Sequence, residues 1–365
     1  MCSRISDPAT MPISAHNNGT NRRVLCLLQK PYDLINATEY VAAHCPEAEI
    51  HAIVIGTHAN AVAVQEICQQ RRIPLTRVAD PDLYAYCAAY LNTKRHWPRA
   101  LILSIKAALL PLAYFYWFFS FGRLAFKARQ QQYDLVLLDA WRTKCLYVAA
   151  MPRGAFLVLM DGGFSTLHYG LCPAFESGGA VALIRRALHK QRPLMPAVLR
   201  HLAIRRATDA TPFFTCYHDQ ISADCRYPVL SNSYANCRLL LGEKRVRPSV
   251  MILGIPLLKH IDAYIQRALD AQEAAGLPRD AAAIEYRFHP TDRNRAKLDA
   301  AYGSMIECGV RERRLYFSYP KYSLEVDFLE QEEIPAIIVA YPSSSIRWIE
   351  EVLGSSVQIV PMVER

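Results

Sequence analysis

Apolar and polar positions along this chain alternate in short bursts. Arg22 to Gln29, RRVLCLLQ, is a compact apolar run of the kind that forms a buried strand, followed by a turn at Lys30-Pro31 and a helical pattern from Asp33 toward Ala43. The theme repeats. AEIHAIVIG (Ala48 to Gly56) predicts a strand ahead of a helix through Val62 to Arg71, and YDLVLLDA (Tyr133 to Ala140) and AFLVLMDGG (Ala155 to Gly163) predict further strands that end in turns. Apolar runs alternating with helical segments predict a parallel sheet with helices on its faces.

The same grammar restarts late in the chain. SVMILGIPL (Ser249 to Leu257) predicts a strand ending in a glycine turn, and Leu258 to Ala275 a helix stopped by Gly276 and Pro278. AIEYRFHP, RRLYFSYP, IPAIIVAYPSSS and SSVQIVPM supply further strands, with helices at Ser323 to Glu333 and Ser344 to Leu353. The expected fold is α/β, with two Rossmann-like domains facing a central cleft. The expected division is a disordered N-terminus over 1–20, a first domain over 21–245 and a second over 246–365, with the junction near the basic GEKRVRPS.

One segment interrupts the pattern. Ala100 to Phe121, ALILSIKAALLPLAYFYWFFSF, is about long enough to span a bilayer, yet it contains Lys106 and Pro111 and lies inside a domain that needs both its ends on one side. Basic residues flank it and aromatics crowd its second half, features suited to an interface. The insertion near 97–129 therefore reads either as a membrane-surface element or as a plain buried helix or helical hairpin. Arg185 to Arg206 is a second basic stretch, either a solvated helix face or a contact for anionic lipid.

Composition narrows the class. The chain has 365 residues, 52% of them hydrophobic and 21% charged, which supports a sizeable core. Its eleven cysteines are scattered without CxxC pairs or zinc spacing and read as reduced core residues. The polar first 23 residues lack the apolar core of a secretory signal, so a cytoplasmic location is expected. A net charge of +9 favours an anionic partner. No recognised nucleic-acid module is present, and the signatures of dinucleotide, Walker-type and α/β-hydrolase sites are missing. Asp80-Pro81-Asp82 lacks the strand context of a metal motif, so no metal and no cofactor are expected.

The candidate chemistry gathers at strand ends. His289 follows the strand pattern of Glu285 to Phe288 and precedes Pro290, which cannot continue a central ladder. A histidine there can hold a phosphate oxygen, and Arg287 adds positive charge; ending a strand is the plainer role. In YPSSSIRW (Tyr341 to Trp348), Ser343, Ser344 and Ser345 fall at a helix N-terminus, where amides and hydroxyls attract anions, although a cap needs only one serine. Asp161, ahead of Gly162 and Gly163, can take a proton from a sugar hydroxyl or merely open a turn. Glu325, in the first turn after Ser323, is placed for a helix dipole or for a ribose or base. Gly254 permits close backbone approach after the first strand of the second half.

Taken in order, Asp-Gly, then HP, then Ser-Ser resembles the bacterial sialyltransferases of GT-B architecture. The closest likeness is to the lipooligosaccharide sialyltransferase group, with the capsule polysialyltransferases as relatives. LLQKPYDLINATEYV (Leu27 to Val41), ILGIPL and YPKYSLE carry the same resemblance elsewhere along the chain. The resemblance implies metal-independent, inverting transfer of sialic acid from CMP-sialic acid to a glycan or glycolipid acceptor. It implies that His289 binds the CMP phosphate together with Ser343 and Ser344 or Ser344 and Ser345, that Glu325 sits near the cytidine, and that Asp161 is the general base. Gly162, Gly254, Arg287 and Pro290 are carried over as donor-side or acceptor-side contacts. Met160 stands where the family has the first acid of its D/E-D/E-G motif, leaving Asp139 and His168 as reserve bases. Competing readings are a transferase using another CMP-linked sugar acid such as Kdo, and an inactive GT-B scaffold at the inner face of the membrane.

Overall fold

The computed structural model describes residues 22–56, 59–78, 98, 101, 122–123, 126, 130–139, 154–161, 211–221, 225, 227–254, 261–277, 284–288, 315–318, 322–341 and 343–362. The expected segments 1–20, 100–121 and 185–206 lie wholly or almost wholly outside them. The chain divides into two units, Met1–Asn232 and Ser233–Arg365. The stretch GEKRVRPS, read from the sequence as the junction, thus falls inside the second unit.

In the first unit, β1 (Arg23–Leu28), β2 (Glu49–Ile55), β3 (Leu75–Val78), β4 (Leu135–Asp139), β5 (Phe156–Met160), β6 (Phe213–Thr215) and β7 (Val229–Ser231) form a sheet of order β3-β2-β1-β4-β5-β6-β7. Every pairing is parallel. Val24 to Leu28 and Leu135 to Asp139 are buried throughout, as parallel strands covered on both faces require. Helices α1 (Pro31–His44) and α2 (Ala59–Gln70) follow β1 and β2. The expected turn at Lys30-Pro31 is the start of α1: Pro31 occupies the first helical position, where its missing N–H costs nothing. Asp33 accepts from the Gln29 and Lys30 amides at 2.9 and 3.1 Å and so caps the same end.

The second unit holds α3 (Ala235–Gly242), β8 (Arg245–Leu253), α4 (Ile261–Ala274), β9 (Ile284–Arg287), β10 (Leu315–Ser318), α5 (Leu324–Glu330), β11 (Glu333–Ala340), α6 (Ser344–Leu353) and β12 (Gln358–Pro361). Its sheet order is β10-β9-β8-β11-β12, again parallel throughout. The helix α4 ends in the predicted way. Gly276 adopts φ +66°, and the Leu277 and Gly276 amides return to the carbonyls of Gln272 and Glu273. Val250, Ile252, Tyr286, Phe288, Ile337 and Val339 form a core with Ala268 and Ala271 of α4. The predicted helix over Ser323 to Glu333 is shorter, because Glu333 already pairs with Arg245 as the first residue of β11.

Both units are therefore Rossmann-like, as the alternation of strands and helices predicts. The expectation missed β3, β6, β7 and α3, elements of three to eight residues. Among the described residues the cysteines, apart from Cys225, are buried. Burial pushes the Cys68 thiol up to about 11, which keeps it protonated.

Two histidines make the first unit sensitive to acid. Burial holds both His44 and His51 below the ordinary value of 6.5, and Arg23 lowers His51 further against an opposing effect of Glu49. Their folded values are depressed, so the unfolded chain takes up protons first as pH falls. The stability they contribute is complete above about 6.5 and declines as pH drops through that value. The thermal midpoint should fall between about pH 7 and about pH 5, and His51→Gln should flatten that slope; a midpoint constant over this range would refute the assignment.

Candidate functional site

Each sheet reverses its winding at one place, between β1 and β4 in the first unit and between β8 and β11 in the second. Loops diverge there at the carboxyl ends of the strands, which is where open α/β sheets hold ligands. The chemistry-bearing residues of both units sit on those edges.

In the first unit, Lys30, which precedes α1, lies 3.9 Å from Asp139 at the end of β4 and 3.8 Å from Asp33. The ammonium thus spans the winding reversal, and its side chain is one-fifth exposed while both carboxylates are buried. Asp161 follows β5 and is fully buried. Its Oδ2 accepts from the Cys216 amide at 3.2 Å, and its own amide donates to Phe214 at 3.1 Å, so the end of β6 grips it from both sides. The Asn36 side chain donates to the Asp161 carbonyl at 3.3 Å and accepts from Asn232 at 3.0 Å. One buried asparagine on α1 therefore links the ends of β5 and β7. Lys30, Asn36 and Asn232 were not singled out in the sequence. The available signal was the presence of Asp33 and Asn36 one turn apart in the first half of α1.

Met160, at the position of the missing acid, is fully buried. Its register partner on β4 is Asp139. Residues in register on neighbouring parallel strands project to the same face, so Asp139 places a carboxylate on the face that Met160 occupies. Gly162, Gly163 and His168 lie outside the described residues.

In the second unit, Ser343 caps α6: its Oγ accepts from the Ile346 amide at 3.3 Å. The Ser345 hydroxyl donates to Glu325 at 2.7 Å, joining the first turns of α6 and α5. Glu325 is buried. The structure thus brings together three of the predicted residues, Ser343, Ser345 and Glu325. Ser344 opens α6 between them. Ser323 occupies the cap position of α5 without a side-chain cap bond.

Arg287 ends β9, buried, with its guanidinium paired to Asp327 and 3.5 Å from the Tyr322 carbonyl. His289 and Pro290, two and three residues further on, lie outside the described residues. Gly254 follows β8 and donates its amide to the Arg287 carbonyl at 2.8 Å. A Cβ on Gly254 would stand 2.8 Å from Tyr286 Oη, 2.9 Å from Tyr286 Cε1 and 3.0 Å from the Arg287 carbonyl oxygen. The room that this glycine provides is filled by β9.

No group of three or more metal-ligating side chains occurs among the described residues. No helix among them is long and apolar enough to cross a membrane. No protein-family model and no curated protein matches the chain. Among solved structures it is similar to the spinosyn forosaminyltransferase SpnP, at 15% identity over 93% of this chain and 80% of that one, with a TM-score of 0.40. It is similar to the spinosyn rhamnosyltransferase SpnG complexed with thymidine diphosphate, at 11% identity over 90% and 77%, with a TM-score of 0.43. A UDP-GlcNAc 2-epimerase from Methanocaldococcus jannaschii matches at 9% identity over 94% and 84%, with a TM-score of 0.47. Likenesses this distant carry no argument about donor or reaction, and the fold assignment rests on the chain's own topology.

The packing at Gly254 makes a direct prediction. Gly254→Ala should force β8 and β9 apart and lower stability by about 1–3 kcal/mol, the usual cost of an overpacked core. Chemical denaturation measures this, and an unchanged midpoint would show that Tyr286 moves aside freely.

Proposed function

We propose that this protein is a GT-B glycosyltransferase that moves sialic acid from CMP-sialic acid to a terminal sugar hydroxyl of a surface glycan, lipooligosaccharide or capsule, with inversion and without a metal. The observation that carries the reading is the grouping of Ser343, Ser345 and Glu325 at the head of α6, beside the winding reversal of the second sheet. A helix N-terminus at that place suits a phosphate.

Hydrogen counting divides the labour among the serines. A hydroxyl has a single proton to donate. Ser345 gives its proton to Glu325, whereas Ser343 uses Oγ as an acceptor and keeps its proton for a ligand. Of the serine pairs that the family resemblance allows, the one containing Ser343 is therefore favoured. Ser343 and the first amides of α6 hold the CMP phosphate, and Ser345 orients Glu325 near the cytidine.

In the reaction, the acceptor oxygen bonds to the anomeric carbon as the bond from that carbon to the phosphate oxygen breaks. Asp161 takes the acceptor proton, and CMP departs with the bonding electrons. His289, Ser343 and the α6 amides stabilise the growing phosphate charge. Asp161 is preferred to Asp139 as base because Asp139 is already engaged by Lys30. The apolar insertion near 97–129 is proposed to rest on the anionic inner surface of the cytoplasmic membrane, where a glycolipid acceptor is presented.

Met160 favours one second reading, an inactive scaffold that retains the fold. CMP release from CMP-sialic acid, with and without a galactose-terminated acceptor and without added metal, separates the two. Acceptor-stimulated release is expected, with kcat falling about 10²–10⁴-fold in Asp161→Asn and strongly in His289→Ala. Asp139→Asn should cost less. Ser343→Ala should weaken CMP binding by about 10-fold or more, and Ser345→Ala by less, because only Ser343 loses a charge-assisted bond to the phosphate. Absence of both release and CMP binding would leave the scaffold; equal losses for Ser343 and Ser345 would overturn the division of labour.

A further inference from the structure

We propose that Asp327 is a positioning residue which, through Arg287, fixes the carboxyl end of β9 where it borders the donor site; the inference rests on the donor-site reading above. The helix α5 carries two buried carboxylates with different partners. Glu325 accepts from Ser345 at the head of α6, at 2.7 Å. Asp327 pairs with Arg287, the last residue of β9, whose guanidinium also approaches the Tyr322 carbonyl at 3.5 Å. One short helix is therefore tied both to the serines and to the strand that leads into His289.

The backbone of that strand end is held independently. Gly254 donates to the Arg287 carbonyl at 2.8 Å, and the Phe288 amide donates to the Ser318 carbonyl at 3.0 Å. These ladder bonds set the position of the strand within the sheet. They leave its distance from the helix layer to the side chains, and there Arg287 and Asp327 make the contact. Arg287 is 5% exposed and Asp327 9% exposed. Stability alone does not account for such a pair, since buried ion pairs are often replaced by apolar residues at no net cost. What a planar guanidinium on a carboxylate supplies is direction. A strand end that borders a donor site needs that direction, because a small misplacement near the reacting groups costs about 100-fold in rate.

The test uses the full chain carrying Arg287→Met together with Asp327→Leu, which removes both charges while filling the space, and separately Asp327→Glu, which keeps the charge but moves it. Both are expected to fold, with kcat for CMP release lowered about 100-fold in the double variant and less in Asp327→Glu. CMP affinity should fall by a smaller factor than kcat. Hydrogen exchange at the Phe288 amide should quicken while exchange along β11 stays unchanged. A folded double variant with wild-type kcat overturns the inference and leaves the donor-site reading standing. Should the wild-type protein release no CMP, the donor-site reading fails, and exchange decides the positioning role alone: unaltered Phe288 protection in both variants overturns it. If the double variant does not fold, Asp327→Glu with wild-type kcat and wild-type Phe288 exchange overturns it equally.

Discussion

Parallel pairing governs everything else in this chain. All strand pairings of both sheets run parallel among the described residues, so each sheet delivers all its carboxyl ends to one edge. The central strands of each sheet are largely buried, and the candidate site residues lie where strands stop. Lys30, Asp139, Asp161 and Asn232 mark that edge in the first unit; Gly254, Arg287 and Ser343 mark it in the second.

Burying charge at such an edge demands partners, and the two units answer differently. The first unit uses backbone and amide groups from distant loops. Cys216 donates its amide to Asp161, Asn36 bridges to Asn232, and Lys30 stands between two carboxylates. The second unit uses one helix, α5, whose Glu325 and Asp327 reach a serine and an arginine on different elements. An uncompensated charge in either setting would be costly, which explains why few of these groups change without disturbing a neighbour. It also explains the conservative and paired form of informative substitutions here.

Much of the fold was legible because parallel strands buried on both faces are nearly continuous apolar runs. RRVLCLLQ and YDLVLLDA could scarcely be anything else. The missed strands β3, β6 and β7 are too short for a pattern; FFT has three residues and reads equally as a loop. Pro335 inside central β11 is accommodated by a register shift before Ile337, a feature with no local sequence signature. Site residues were legible where chemistry repeats locally, as in the three serines. Their division of labour was not, because it depends on which atom donates. Asn36, Asn232 and Asp327 escaped for a different reason: Asn36 and Asn232 lie 196 residues apart, Arg287 and Asp327 40 apart. Polar pairs closed by tertiary folding leave no spacing to read.

Met160 shows the same principle at the point where the family resemblance is weakest. Read along the chain, a methionine where an acid belongs removes a carboxylate from the edge. Read across the sheet, Asp139 is its register partner, one strand over and on the same face. The end of β4 therefore carries a carboxylate beside position 160. Its engagement by Lys30 changes its character, for an acid tied to a lysine across the winding reversal braces β4 against the start of α1. The two acids at this edge thus have different partners: Asp139 is tied to Lys30, and Asp161 is held by the Cys216 amide and the Phe214 carbonyl.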